Sequence, residues 1–426
     1  MKTDATPPRG TRDLLPDEVA ARDHVSSTVA DIYHRFGYQR IETPCVEDLE
    51  RLTGGQGGEN AKLIFAIMKR GLTDPLAGET ALKDIADLGL RFDLTVPLTR
   101  YYAHNHANLP MPFRAFQLGP VWRAERPQQG RYRQFHQCDI DIIGMPGVLA
   151  EIELIEATSQ ALHAVGLSGT TVRLSDRRIL SALAHHARLP EQSWDGFFIS
   201  LDKLDKIGWD GVGRELVDKR GLAPEAVAQA LETVQGLHAV EADKSIDALG
   251  TALPELPDSV LNDLASTTGA LGDIGGLSWV FDPTLARGMG YYTGQVFEVE
   301  HPDSPGSLAG GGRYDRLVGR SLGKDVPACG FSLGFERIVN LLGTRRREAV
   351  AVLLDAEVSE SRALHLMRAL RAEGRTAASV PRSGKFAAQL ARLEAWGYTS
   401  FMHLRADDTT PSSRPEERPL GSPPQT

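Results

Sequence analysis

No stretch of this 426-residue chain approaches eighteen uninterrupted apolar residues, so no segment reads as a helix that crosses a bilayer. Cysteine is scarce as well. Cys45, Cys138 and Cys329 stand far apart without a CxxC pair, which argues against a disulfide framework and against structural zinc, and suits a reducing cytosol. Neither a GxxxxGK[ST] loop nor a strand-GxGxxG-helix fingerprint occurs, so both usual backbone cradles for nucleotide phosphates are missing. A surplus of positive charge is lacking too: the formal net charge is -9, and any site for a polyanion must be local. His104/His106 and His185/His186 have no third partner at usable spacing, so protein histidine or cysteine is not expected to hold a metal. The first thirty residues carry acidic side chains throughout and no apolar core of a signal peptide. The expectation is a soluble, unexported, cytoplasmic protein.

What is present divides by pattern. Val19, Val25, Val29, Ile32 and Phe36 recur near a helix period and stop at Gly37. GYQRIETPCVED reads as a strand that meets a proline, and the stretches 88–103, 113–126 and RYRQFHQCDIDIIG read as further strands. Helical spacing returns over 148–166. Strands in runs, with helices beside them, indicate a largely antiparallel sheet. Residues 178–270 are rich in Ala, Leu, Glu and Lys and read as a helical insertion. Strand texture resumes from GLSWVFDPTLARGMGYYTGQVFEVE, GSLAGGGRYDRL reads as a glycine-rich turn, and the residues after TRRRE form a small α/β domain. The final twenty residues hold little that could build a core.

RAERPQQGRYRQFHQCDIDIIG, from Arg123 to Gly144, changes character half-way. Its first half places Arg123, Arg126, Arg131 and Arg133 around a turn, where guanidinium forks can grip phosphate oxygens. Its second half alternates faces, so Phe135, Gln137, Asp139 and Asp141 share one side and Cys138, Ile140 and Ile142 the other. An aromatic ring, an amide and two carboxylates then floor a site beside a cationic loop. That combination suits an adenine plane, a phosphate and a hydrogen-bonding small molecule.

These segments carry a resemblance. PRGTRDLLP, GYQRIETPCVED, LRFDLTVPL, WRAERPQQGRYRQFHQ, ARGMGYYTG and GFSLGFERI occur in order over residues 8 to 343. Together they resemble the class II aminoacyl-tRNA synthetases and, in detail, the histidyl-tRNA synthetase family. The resemblance implies an α+β fold with an antiparallel sheet flanked by helices. It divides the chain into a catalytic core at 1–177 and 271–343, a helical insertion domain at 178–270, a shortened anticodon-binding-like α/β domain at 347–406, and a disordered tail at 407–426.

It also implies a function: ATP-dependent activation of histidine to the adenylate and transfer to tRNA(His), by a homodimer, with ATP and Mg2+ as the substrate complex and no tightly bound cofactor. Arg123 would bind the α-phosphate and the reacting carboxylate, with Arg287 as the second catalytic cation. Glu125 would meet the adenine end, Phe135 its ring, and Arg337 the γ-phosphate. Asp93 and Thr95 would hold the α-amino group with Gln137 nearby, and Asp141, Tyr291 and Tyr292 the imidazole. Two other readings belong to different classes. One is a paralogue that activates histidine for a non-tRNA acceptor, and the other is a non-catalytic synthetase-like regulatory subunit of histidine biosynthesis.

Overall fold

The computed structural model of the protein describes residues 5–54, 60–72, 81–126, 132–240, 245–286, 291–343, 348–405 and 414–421. They fall into two compact units, one holding 1–13 and 25–341 and the other 14–24 and 342–426. In chain order the first unit carries β1 (Gln39–Arg40), β2 (Val46–Asp48), β3 (Ala66–Met68), β4 (Ala86–Leu90), β5 (Phe113–Trp122), β6 (Gln134–Ile143), β7 (Thr171–Asp176), β8 (Ser278–Phe281), β9 (Gln295–Glu300), β10 (Ala309–Arg313) and β11 (Ala328–Leu333).

Among the described residues, eight of these strands form one sheet in the order β1-β5-β6-β11-β10-β9-β7-β8. Only its outer pairs, β1 with β5 and β7 with β8, are parallel. Every inner pair is antiparallel. This is the mixed α+β architecture expected from strands that come in runs. A small sheet of β2, β4 and β3 stands apart from it.

Alternation along β6 sets the two faces. Cys138, Ile140 and Ile142 are fully buried, and the helix Leu149–Ala164 lies over β6, β10 and β11. Its Leu154, Ile155, Ala157 and Ala161 are buried there too. Burial of each large apolar side chain contributes about 1.5–3 kcal/mol, which fixes the register of β6 and turns Gln137, Asp139 and Asp141 to the opposite face. Residues 177–272 run through a series of helices, the last of which, Asp258–Gly272, packs on Leu149–Ala164.

Three expectations are corrected. The stretch 88–103 is not one strand: β4 ends at Leu90 and a helix runs over Thr95–Asn105. Asp93 starts it by accepting the Val96 N–H at 3.1 Å. Pro97 is tolerated because a first-turn N–H has no intrahelical partner to lose. Leu94, Leu98 and Tyr102, four apart, are buried along one side. Next, the glycines of GSLAGGGRYDRL form the interior strand β10 and not a turn. A Cβ at Gly311 would stand 2.0 Å from Gly330 O and 2.9 Å from the Phe297 ring. The rings of Phe297 and Phe331, on the strands to either side, meet edge-to-face at 4.6 Å and take the volume a side chain would fill.

The second unit carries β12 (Ala349–Leu354), β13 (Thr376–Pro381), β14 (Ser400–Leu404) and β15 (Arg418–Pro419), in the order β13-β12-β14-β15. Here the third correction applies, since residues 414–421 of the expected disordered tail are folded. β15 pairs antiparallel with β14, Leu420 packs on the cluster of Ala351, Leu353, Leu393 and Phe401, and Glu417 accepts from Arg375 at 2.5 Å and from Ser400 at 2.6 Å. Low apolar content was outweighed by one leucine, a strand edge and these charged hydrogen bonds. The rest of the tail lies outside the described residues.

Candidate active site

The face of β6 turned away from the helix floors a cavity of about 500 Å³. One end is acidic. Asp139 and Asp141 are buried, at 3% exposure each, and Asp93 approaches from the start of the Thr95–Asn105 helix. Cross-strand neighbours on β11 complete this end: Ser332 lies opposite Asp139 and Gly330 opposite Asp141. The Ser332 hydroxyl donates to Asp139 at 2.5 Å and Gln137 Nε2 donates to Ser332 at 3.2 Å. Tyr314 donates its hydroxyl to Asp141 at 2.5 Å. Gly330 carries no side chain for a direct reason, because a Cβ there would stand 2.0 Å from Asp141 Oδ1.

The other end is cationic. Arg123 donates through Nε to the Phe92 carbonyl at 3.0 Å, and its guanidinium lies 5.0 Å from the centre of the Phe135 ring. Arg337, in the first turn of the helix Phe335–Leu342, donates to the Ser307 carbonyl. Glu125 is exposed at the rim and Thr95 lines the wall beside Asp93. Tyr291 and Tyr292 also line the cavity, their hydroxyls 3.5 Å apart, with Tyr291 edge-on to Tyr314 at 6.3 Å. Thus ten of the expected residues reach one cavity. Arg287, the remaining one, lies outside the described residues.

The carboxyls at the acidic end are held toward their neutral forms. Burial raises Asp141 to about 7, against the Tyr314 hydrogen bond that lowers it, and the Asp93 charge adds to the rise. Burial and then the neighbouring Asp141 raise Asp139 well above the carboxylate range. Burial raises Asp93 to about 6, against the Val96 N–H and Arg123. Three carboxyls facing one small space suit a ligand that brings its own positive or donating groups. Gln137 Oε1 is buried without a hydrogen-bond partner among the described residues, an acceptor of the kind an ammonium group would satisfy.

The shifts set a pH dependence. A carboxyl whose folded pKa is raised binds its proton more tightly in the folded chain, so stability falls as pH rises from about 4 through the folded value near 7. Asp141→Asn should therefore gain stability relative to the wild type between pH 4.5 and 8, by on the order of 2 kcal/mol. Urea unfolding at the two pH values checks it. Parallel curves for both proteins would mean that Asp141 titrates in the folded chain as it does in the unfolded one.

A family model described as histidyl-tRNA synthetase matches residues 10–338. The chain belongs to that family. It is 45% identical to the histidine--tRNA ligase of Leifsonia xyli subsp. xyli over 435 residues, with 99% of each chain covered. It is 36% identical to that of Christiangramia forsetii over 406 residues, covering 90% of this chain and 88% of the relative. The solved histidyl-tRNA synthetase from Nostoc sp. PCC 7120 matches its fold with a TM-score of 0.77 at 26% identity, covering 96% of this chain and 93% of that one.

For a member of the histidyl-tRNA synthetase family, the arginine-rich turn is less uniform than its composition suggests. Only Arg123 of the four lines the cavity among the described residues. Arg133 donates to the Glu125 and Arg9 carbonyls, Arg126 is exposed, and Arg131 lies outside the described residues. Tyr314 and Ser332 went unseen in the sequence. Ser332 reaches the site through strand register, and Tyr314 by standing at the end of a strand two removed from β6. Asp139 could have been singled out, since alternation already placed it between Gln137 and Asp141.

Proposed function

We propose that the protein activates histidine with ATP, forming histidyl-adenylate and pyrophosphate, and passes the histidyl group to tRNA(His). The observation that carries this reading is the division of one cavity into an acidic end with an unpartnered amide oxygen and a cationic end with Arg123 and Arg337. Asp93, Thr95 and Gln137 take the α-amino group. Asp141 and the Tyr291–Tyr292 pair hold the imidazole, whose ring nitrogens need polar partners that an apolar analogue would leave unpaired. Tyr314 orients Asp141 from behind.

ATP enters as its Mg2+ complex, with its ring toward Phe135 and Glu125 and its terminal phosphate toward Arg337. The histidine carboxylate attacks the α-phosphorus and pyrophosphate leaves. Arg123, with Arg287 as the second cation, stabilises the negative charge that develops. No protein nucleophile takes part. Attack by a tRNA hydroxyl on the mixed anhydride then releases AMP. Charging of a tRNA(His) transcript tests the reading. Histidine-dependent pyrophosphate exchange without charging would point to another acceptor, and absence of exchange would end the catalytic reading.

No described helix is long and apolar enough to cross a membrane, and the cytoplasm is the proposed place of work. A homodimer is proposed as the working form. Val46, Met68 and Leu88 of the small sheet are exposed, which supports an apolar interface there. Sedimentation at micromolar concentration should give twice the chain mass of 46.4 kDa, and a monomeric mass would sink the idea.

A further inference from the structure

Residues 8–13 lie outside the roles derived so far, yet they reach the cationic end of the cavity. The Thr11 N–H and hydroxyl both donate to the Pro8 carbonyl, at 2.9 and 2.7 Å, closing a turn in which Gly10 takes a φ of +86°. The turn offers its Gly10 carbonyl to the Arg133 N–H at 2.7 Å. Beyond it, the Arg12 guanidinium lies 4.4 Å from the centre of the Tyr132 ring and 3.4 Å from Glu336 Oε2. The other oxygen of Glu336 accepts the His136 N–H at 3.1 Å. Glu336 therefore ties the first turn of the Phe335–Leu342 helix to the start of β6, and Arg12 covers its outer oxygen.

Tyr132, His136, Glu336 and Arg337 all line the cavity. A carboxylate next in sequence to Arg337 is an odd neighbour for a polyphosphate. Left uncovered, its charge would oppose the nucleotide and weaken the field of Arg337 in a site partly shielded from water. Its own helix terminus favours the ionised form, so an outside cation has to cancel it. We propose that Arg12 is a positioning residue for nucleotide binding. It neutralises Glu336 and keeps that carboxylate turned onto the His136 amide, so Arg337 meets the phosphates without a competing anion. The inference rests on the reading that ATP phosphates occupy this end.

Histidine-dependent pyrophosphate exchange on the full chain tests it. Arg12→Ala should raise the KM for ATP about tenfold while the KM for histidine changes by less than about twofold, and Arg12→Lys should restore most of the loss. Glu336→Gln keeps an acceptor for the His136 amide and removes the charge. The Arg12→Ala/Glu336→Gln double variant should therefore bind ATP no worse than Glu336→Gln alone. An unchanged KM for ATP, an equal rise for both substrates, or a double variant as weak as Arg12→Ala would each overturn the role of Arg12. Should Arg12→Ala not fold, Arg12→Gln, which keeps a stem beside Tyr132, carries the same measurement. Wild-type protein run in parallel separates the two ideas: absence of exchange there overturns the reading of the site and this inference with it, whereas normal exchange leaves the variants to decide on Arg12 alone.

Discussion

Arg123→Ala is expected to slow histidyl-adenylate formation by about two to three orders of magnitude, the loss typical of removing one preorganised donor from developing charge. The guanidinium is held from two sides, by the Phe92 carbonyl at 3.0 Å and the Phe135 ring, so it reaches the reaction already oriented. A lysine at this position could not reproduce the planar fork, and Arg123→Lys should recover only part of the rate. Stability should change by less than about 1 kcal/mol, since the side chain is half-exposed and packs on no apolar core. Single-turnover adenylate formation at saturating substrates checks the expectation. A folded Arg123→Ala protein within about tenfold of the wild-type rate would move the transition-state role to Arg287.

Gly311→Ala is expected to destabilise the fold by more than about 3 kcal/mol, because overpacking against backbone has no soft side chain to absorb it. The added methyl would stand 2.0 Å from Gly330 O and 2.8 Å from Phe331 Cα. β10 and β11 would have to part where Gly311 pairs with Phe331. Because β11 also carries Gly330 and Ser332 opposite Asp141 and Asp139, the KM for histidine should rise along with the fall in urea midpoint. A loss below about 1 kcal/mol would mean that the sheet yields there at little cost.

The part of the site that lies on one strand was legible from local pattern. Alternation along 134–143 put Phe135, Gln137 and Asp141 on the cavity side and Ile140 in the core, and the structure keeps that division. Partners that arrive from elsewhere were not legible. Tyr314 and Ser332 touch the carboxylates of β6 only after three strands align, and no spacing within their own segments announces it. Two local misreadings have physical causes. In LTVPLTRYYA, β-branched and aromatic residues suggested a strand, while the four-residue spacing of Leu94, Leu98 and Tyr102 carried the opposite message. In AGGGR, glycine suggested flexibility, while close approach of neighbouring strands requires it. The membership of the chain in its family rests on the order of motifs over most of the length, which survives such local errors.

The strand at Arg418–Pro419 has a consequence for how the second unit behaves in a crowded solution. A sheet's open margin is a template on which a foreign chain can add itself, and β14 would present such a margin, with Phe401 and Met402 beside it, were β15 absent. The residues that cover it are poor recruits for further growth: Pro419 has no N–H to offer, and Arg418, paired with Glu416 at 2.8 Å, keeps charge on the outermost edge. A segment with almost no apolar content can thus act as a seal against aggregation. Its worth would be read in the solubility of the protein over days, even where turnover in a fresh sample stays the same.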